Sequence, residues 1–102
     1  MTDNLLQLTL VFPDALETAV LDALGDFAPD QPFTLLHGTG HGRDFVHASS
    51  RERVRGQVGR RVLWLVAPAA GIEPLLAALR ERIHSRDLVW WTQPVSAFGD
   101  FS

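Results

Sequence analysis

Apolar residues recur at every second position near the start of the chain. Leu6, Leu8, Leu10 and Phe12 fall on one side of an extended segment, and Leu5, Gln7, Thr9 and Val11 fall on the other. The spacing predicts a strand over 5–12 with one fully apolar face. The period then changes: Leu16, Val20 and Leu24 lie four apart, the stripe of an amphipathic helix. Asp14 is placed to cap that helix with Glu17 three residues on, and Gly25 suits its end. Two prolines and two aspartates in 26–32 read as a connection, and 33–37 reads as a short second strand ending at His37.

Regularity stops after His37. Gly38, Gly40 and Gly42 punctuate a polar stretch that continues to Gly56, predicting a long loop over about 38–57, a length that in a compact domain marks function or disorder. From 58 to 67 the residues Val62, Trp64 and Val66 alternate with Leu63 and Leu65, so both faces are apolar, as in a central strand. Ile72, Leu75, Leu76, Leu79 and Ile83 give a second helix with Pro74 near its start, running to about Arg82. Arg80, Arg82 and His84 suit its negative pole. Residues 88–93 form a fourth strand closed by Pro94 and Val95, leaving 96–102 as a tail with Phe98 and Phe101 available for docking.

The order is βαββαβ. Two right-handed βαβ units wound this way give an α+β, ferredoxin-like fold, a four-stranded antiparallel sheet with two helices on one face. The pattern accounts for residues 1–102 as a single domain. No helix remains for the second face of the sheet, which predicts sheet-to-sheet packing in a homo-oligomer, since apolar burial is worth about 25 cal/mol per Å² before the costs of association.

Composition narrows the chemistry. The chain has 102 residues, 46% of them apolar and 21% charged, the balance of an ordinary globular domain. No apolar run reaches the length of a membrane span, and Met1-Thr2-Asp3-Asn4 lacks the basic region of a secretory signal, so the expectation is a cytoplasmic protein without membrane insertion. The absence of cysteine excludes disulfides, thiolate zinc sites and cysteine nucleophiles. No nucleophile and base set stands out, and the expectation is that the chain is not an enzyme.

Charge is unevenly placed. Asp3, Asp14, Glu17, Asp22, Asp26 and Asp30 make the first third acidic, whereas Arg43, Arg51, Arg53, Arg55, Arg60 and Arg61 face only Asp44 and Glu52 in the middle. Arg60 and Arg61 beside Gly59 would offer planar donors to an anionic metabolite or nucleotide. The same pair, pointing to opposite sides of a strand, would equally suit an intersubunit ion pair. The net charge of −3 argues against nucleic acid.

His37, His41 and His47, with Asp44 among them, occupy eleven consecutive residues. Imidazole with carboxylate suits zinc, nickel or copper(II), and the intervening glycines would let His37 and His41 turn toward one another. Such a site would weaken below about pH 6 as the imidazoles protonate. Three histidines on a solvated loop are the alternative.

The sequence resembles the PII-like signalling superfamily, and in particular the small PII-like proteins encoded beside heavy-metal efflux pumps. The resemblance rests on Leu8-Thr9-Leu10-Val11 with Pro13, on His37-Gly38-Thr39-Gly40-His41-Gly42, on Gln57-Val58-Gly59-Arg60-Arg61-Val62, and on Trp91 with Pro94-Val95. It implies a homotrimer, a signalling role for the long loop, a part in heavy-metal homeostasis and a protein partner such as a metal-efflux component. Two departures argue against ATP or ADP: only His84-Ser85-Arg86-Asp87 joins the second helix to the fourth strand, and Ser96-Ala97-Phe98-Gly99 stands where nucleotide-binding members place arginines.

Overall fold

The computed structural model describes residues 4–41 and 57–102. Strand β1 spans Leu5–Pro13, and a 3-10 turn over Asp14–Leu16 leads into helix α1, Glu17–Phe27. Strand β2 spans Thr34–His41 and β3 spans Gln57–Pro68. Helix α2 spans Ala69–Arg82 and β4 spans Val89–Val95. All strand pairs are antiparallel and the sheet order is β2-β3-β1-β4, the ferredoxin-like arrangement that the alternation of elements predicts.

One face of the sheet forms the core. Leu8, Leu10 and Phe12 of β1 and Leu63, Leu65 and Ala67 of β3 pack against Val20, Ala23 and Leu24 of α1 and Ile72, Leu75, Leu76 and Leu79 of α2, all buried. These are the positions at period two on the strands and at three- and four-residue spacing on the helices, so hydrophobic pattern and burial agree. Trp90, opposite Leu10 in register, lies on this helix side, and Trp91, opposite Thr9, lies on the other.

Several boundaries differ from the sequence reading for local reasons. Asp14 makes no side-chain cap, and the Glu17 carboxylate accepts a hydrogen bond from Arg61 rather than closing a capping box. Helix α1 runs past Gly25 to Phe27; one exposed glycine costs a helix about 1 kcal/mol, and the buried stripe outweighs it. Pro74 lies inside α2, which starts directly after Pro68. Pro74 and Ala70 are both exposed, so the carbonyl that proline leaves without a donor faces solvent.

The largest difference concerns β2, which continues through Gly38, Thr39, Gly40 and His41 instead of ending at His37. Residues 38–41 therefore belong to a strand, and the connection between β2 and β3 is shorter than 38–57. At its other end β2 begins opposite Trp64, so among the described residues the last four of β3 have no strand on that side. There the Gln31 Nε2 donates to the Val66 carbonyl at 3.1 Å and to the Pro32 carbonyl at 2.9 Å.

Candidate functional site

Register fixes the geometry at the far end of β2 and β3. Strand β1 stops at Pro13, opposite Arg60, whereas β2 and β3 stay paired out to His41 and Gln57. Beyond Arg60 the sheet is thus a two-stranded ribbon. His37, Thr39 and His41 share the side of β2 that faces the helices, because their neighbour Leu35 lies opposite the buried Leu63. Their cross-strand partners are Arg61, Gly59 and Gln57. The other side of β2 carries no side chain at 38 or 40, both glycines.

Arg60 and Arg61 leave β3 on opposite sides, and their roles diverge. The Arg61 Nε donates to Glu17 Oε1 at 2.5 Å, and its Nη1 donates to the Arg60 carbonyl at 3.3 Å. Both side chains of the Arg61–Glu17 pair are mostly shielded from solvent. The pair ties the root of the ribbon to the first turn of α1. Arg60 is only 5% exposed, and its stem lies where a side chain at residue 40 would be: a Cβ built on Gly40 would stand 2.6 Å from Arg60 Nε and 2.9 Å from its Cγ. Gly40 is therefore required by a close approach rather than by backbone conformation.

The histidines form a row, not a cluster. Four residues of strand at about 3.3 Å each separate His37 from His41 by about 13 Å, with both exposed on the same side. Side chains standing off a strand at that spacing do not converge on an ion whose bonds to nitrogen are about 2 Å long. The predicted turn that would bring them together is replaced by strand. Thr39 Oγ1 and His41 Nε2 are 3.4 Å apart. Among the described residues no three His, Asp or Glu side chains gather as a metal site. Asp44 and His47 lie outside the described residues.

A second feature is the face of the sheet without helices. Thr9, in the middle strand, is flanked in register by Trp64 of β3 and Trp91 of β4. Its hydroxyl is buried and has no hydrogen-bond partner among the described residues, although the tryptophans beside it are 42% and 46% exposed. Leu36 and Val89 add half-exposed apolar surface on the same face. The alternation over 5–12 and 62–66 puts Thr9 and Trp64 on definite sides of their strands without saying which side the helices cover; the missing partner of Thr9 has no sequence signal.

Comparison with known proteins agrees with the architecture. Residues 2–102 match the family described as proteins of unknown function, DUF3240. The chain belongs to the DUF3240 family. A DUF3240 family protein from Shewanella baltica OS155 has TM-score 0.74 to this chain at 22% identity, with 100% of both chains covered. CPII, a nitrogen regulatory PII-like protein from Thiomonas intermedia K12 bound to ADP, AMP and bicarbonate, has TM-score 0.67 at 17% identity, covering 96% of this chain and 97% of that one. Arabidopsis thaliana PII bound to citrate has TM-score 0.69 at 15% identity, covering 92% and 79%. At these identities the likeness is one of fold: the DUF3240 chain shares the ferredoxin-like architecture of these PII and PII-like structures. The sequence matches no functionally curated protein. Among the described residues no helix is long and apolar enough to cross a membrane.

Proposed function

We propose that this DUF3240 chain is a non-catalytic, PII-like regulator that assembles as a cytoplasmic homotrimer and senses a small anion at the root of its β2–β3 ribbon. The observation that carries this reading is the ion pair between Arg61 and Glu17, because it fastens the ribbon to α1 through a cation that an anionic ligand would compete for. Ligand binding at Arg61 releases Glu17, loosens the root, and changes what the connection between β2 and β3 presents to a protein partner. The partner suggested by the sequence resemblance is a component of a metal-efflux system. The ligands in the CPII and Arabidopsis PII structures are all anions, which favours the same chemistry here.

Assembly follows from the open face. Trp64, Trp91, Leu36 and Val89 are each 40–47% exposed. Together they leave roughly 300 Å² of apolar side chain to bury, worth about 7 kcal/mol per protomer before the costs of association.

A metal-sensing version rests on the sequence. His41, Asp44 and His47 lie three residues apart and would supply imidazole and carboxylate to zinc, copper(II) or nickel, with His37 excluded from that set by the strand. Calorimetric titration at neutral pH with ADP, AMP, bicarbonate and citrate, and separately with the three metals, tests both versions. Saturable anion binding that tightens in Glu17→Gln supports the sensor at Arg61, and anion binding indifferent to Glu17→Gln refutes it. Metal heats abolished by His41→Ala with His47→Ala would move the site to the connection.

A further inference from the structure

The tail beyond β4 is oriented for contact but makes little within its own chain. Phe98 lies over the open face of the sheet, lining a hollow with Gln7, Thr34, Trp64 and Val66. It nevertheless remains 71% exposed, and Phe101 is exposed completely. Phe101 is held at the apex of a small turn: the Ser102 hydroxyl and backbone N–H both donate to Asp100 Oδ1, at 2.5 and 3.0 Å. A large apolar side chain projecting from a braced turn beside a carboxylate has the form of an anchor without its socket.

A socket of matching chemistry exists elsewhere on the fold. Between the end of α2 and the start of β4, Leu76, Leu79, Ile83, Leu88 and Trp90 line a cavity of about 170 Å³. That volume suits an aromatic ring, since an apolar cavity of about 150 Å³ accepts benzene. Arg80 stands at its rim, 5.9 Å from the Trp90 ring and exposed to solvent, with its Nη1 donating to Glu73 Oε1 at 3.0 Å and its other guanidinium N–H groups left to meet a second carboxylate. The cavity has apolar walls with Ser85 among them and the Arg80–Glu73 pair at its edge; the tail is aromatic with an anion next to the ring.

The tail does not reach the socket of its own chain. Trp90 and Val95 are five residues apart along β4, about 17 Å, and the chain leaving Val95 crosses to the open face, whereas the cavity opens on the helix side. We infer that the tail is an exchange arm: Phe101 of one copy enters the α2–β4 cavity of a second copy, and Asp100 meets Arg80 at its rim. This inference rests on the assembly of copies proposed above, and on no property of the sensed ligand.

Charge exchange tests it. Dissociation of the assembly on dilution is followed by light scattering for the intact chain and for Phe101→Ala, Asp100→Arg, Arg80→Glu and the Asp100→Arg, Arg80→Glu pair, with circular dichroism to establish that each folds. Phe101→Ala and each single charge reversal should weaken assembly at least about tenfold, and the paired reversal should restore most of the loss. Trp91→Glu, on the open face, separates the two readings. If Trp91→Glu dissociates the assembly while the tail variants leave it unchanged, sheet packing stands and the exchange arm is refuted. An intact chain that is monomeric at every concentration refutes both. Loss in Phe101→Ala without rescue by the paired reversal refutes the Arg80 socket.

Discussion

Gly40→Ala is the substitution for which the structure gives the sharpest expectation. The new Cβ would lie 2.6 Å from Arg60 Nε, 2.9 Å from Cγ and 3.3 Å from Cδ, the first two closer than real Cβ contacts occur. Arg60 is 5% exposed, so its stem is confined and must leave its place. Overpacking of this kind costs about 1–3 kcal/mol, and in a domain of this length each kcal/mol lowers the melting temperature by about 4–8 °C. Gly38→Ala supplies the control on the same side of the same strand, because a Cβ there meets nothing within 4 Å. That substitution should stay within about 0.5 kcal/mol of the parent, or gain slightly from the lower entropy of alanine in a strand. Thermal denaturation of both variants, and of Gly40→Ala combined with Arg60→Ala, separates the causes. The double variant should lose less than the sum of the singles by at least about 0.5 kcal/mol, as expected of groups that share one space. Equal melting temperatures for Gly38→Ala and Gly40→Ala would refute the packing of Arg60 against Gly40.

Other substitutions test the remaining features. Glu17→Gln keeps the shape of the side chain but removes the charge facing Arg61, and should cost about 1 kcal/mol at low ionic strength, with a smaller loss when both proteins are melted in about 1 M salt. Thr9→Val removes a buried hydroxyl that lacks a partner and should raise stability by up to about 1 kcal/mol in chemical denaturation; a clear loss would show that a neighbouring copy supplies the missing hydrogen bond. Trp90→Ala should abolish the Arg80–Trp90 contact and widen the α2–β4 cavity, costing about 1–3 kcal/mol in the same assay; no change would mean that the indole adds nothing to the wall of that cavity.

The fold was legible because its signal is repetitive. Leu6 to Phe12, Val62 to Val66 and the two helical stripes each repeat one period several times; the sets facing the helices, Leu8, Leu10, Phe12, Leu63 and Leu65, are buried against the helical stripes, while Val62, Trp64 and Val66 line the open face. The second strand was read too short because three glycines in succession of alternate residues look like a turn, and glycine is disfavoured in strands. Ladder hydrogen bonds to residues 57–60 outweigh that preference, and they join segments far apart in sequence. A subtler signal was nevertheless present: His37-Gly38-Thr39-Gly40-His41 alternates side chain with no side chain, which is period two with one bare face. That reading separates the histidines along a strand and leaves room for Arg60, whereas the loop reading would have gathered the histidines. Placing Arg60 and Arg61 on opposite sides of β3 followed from alternation alone. The partner of Arg61 did not, because nothing in Glu17 distinguishes a carboxylate that caps its own helix from one that reaches across to another strand.

The half-length of β2 has a consequence for how the chain avoids misassembly. Leu65, Val66 and Ala67 form the most apolar run of β3; β1 pairs with them on one side, and with no strand of the described residues on the other they would offer an open hydrogen-bonding edge to any other extended chain. The amide of Gln31 occupies the Val66 carbonyl, and Pro29 and Pro32 leave the adjoining segment short of backbone donors for a ladder. A single side chain and two imino acids thus act as a gatekeeper, so a strand apolar on both faces is made and stored without recruiting its own kind into fibres.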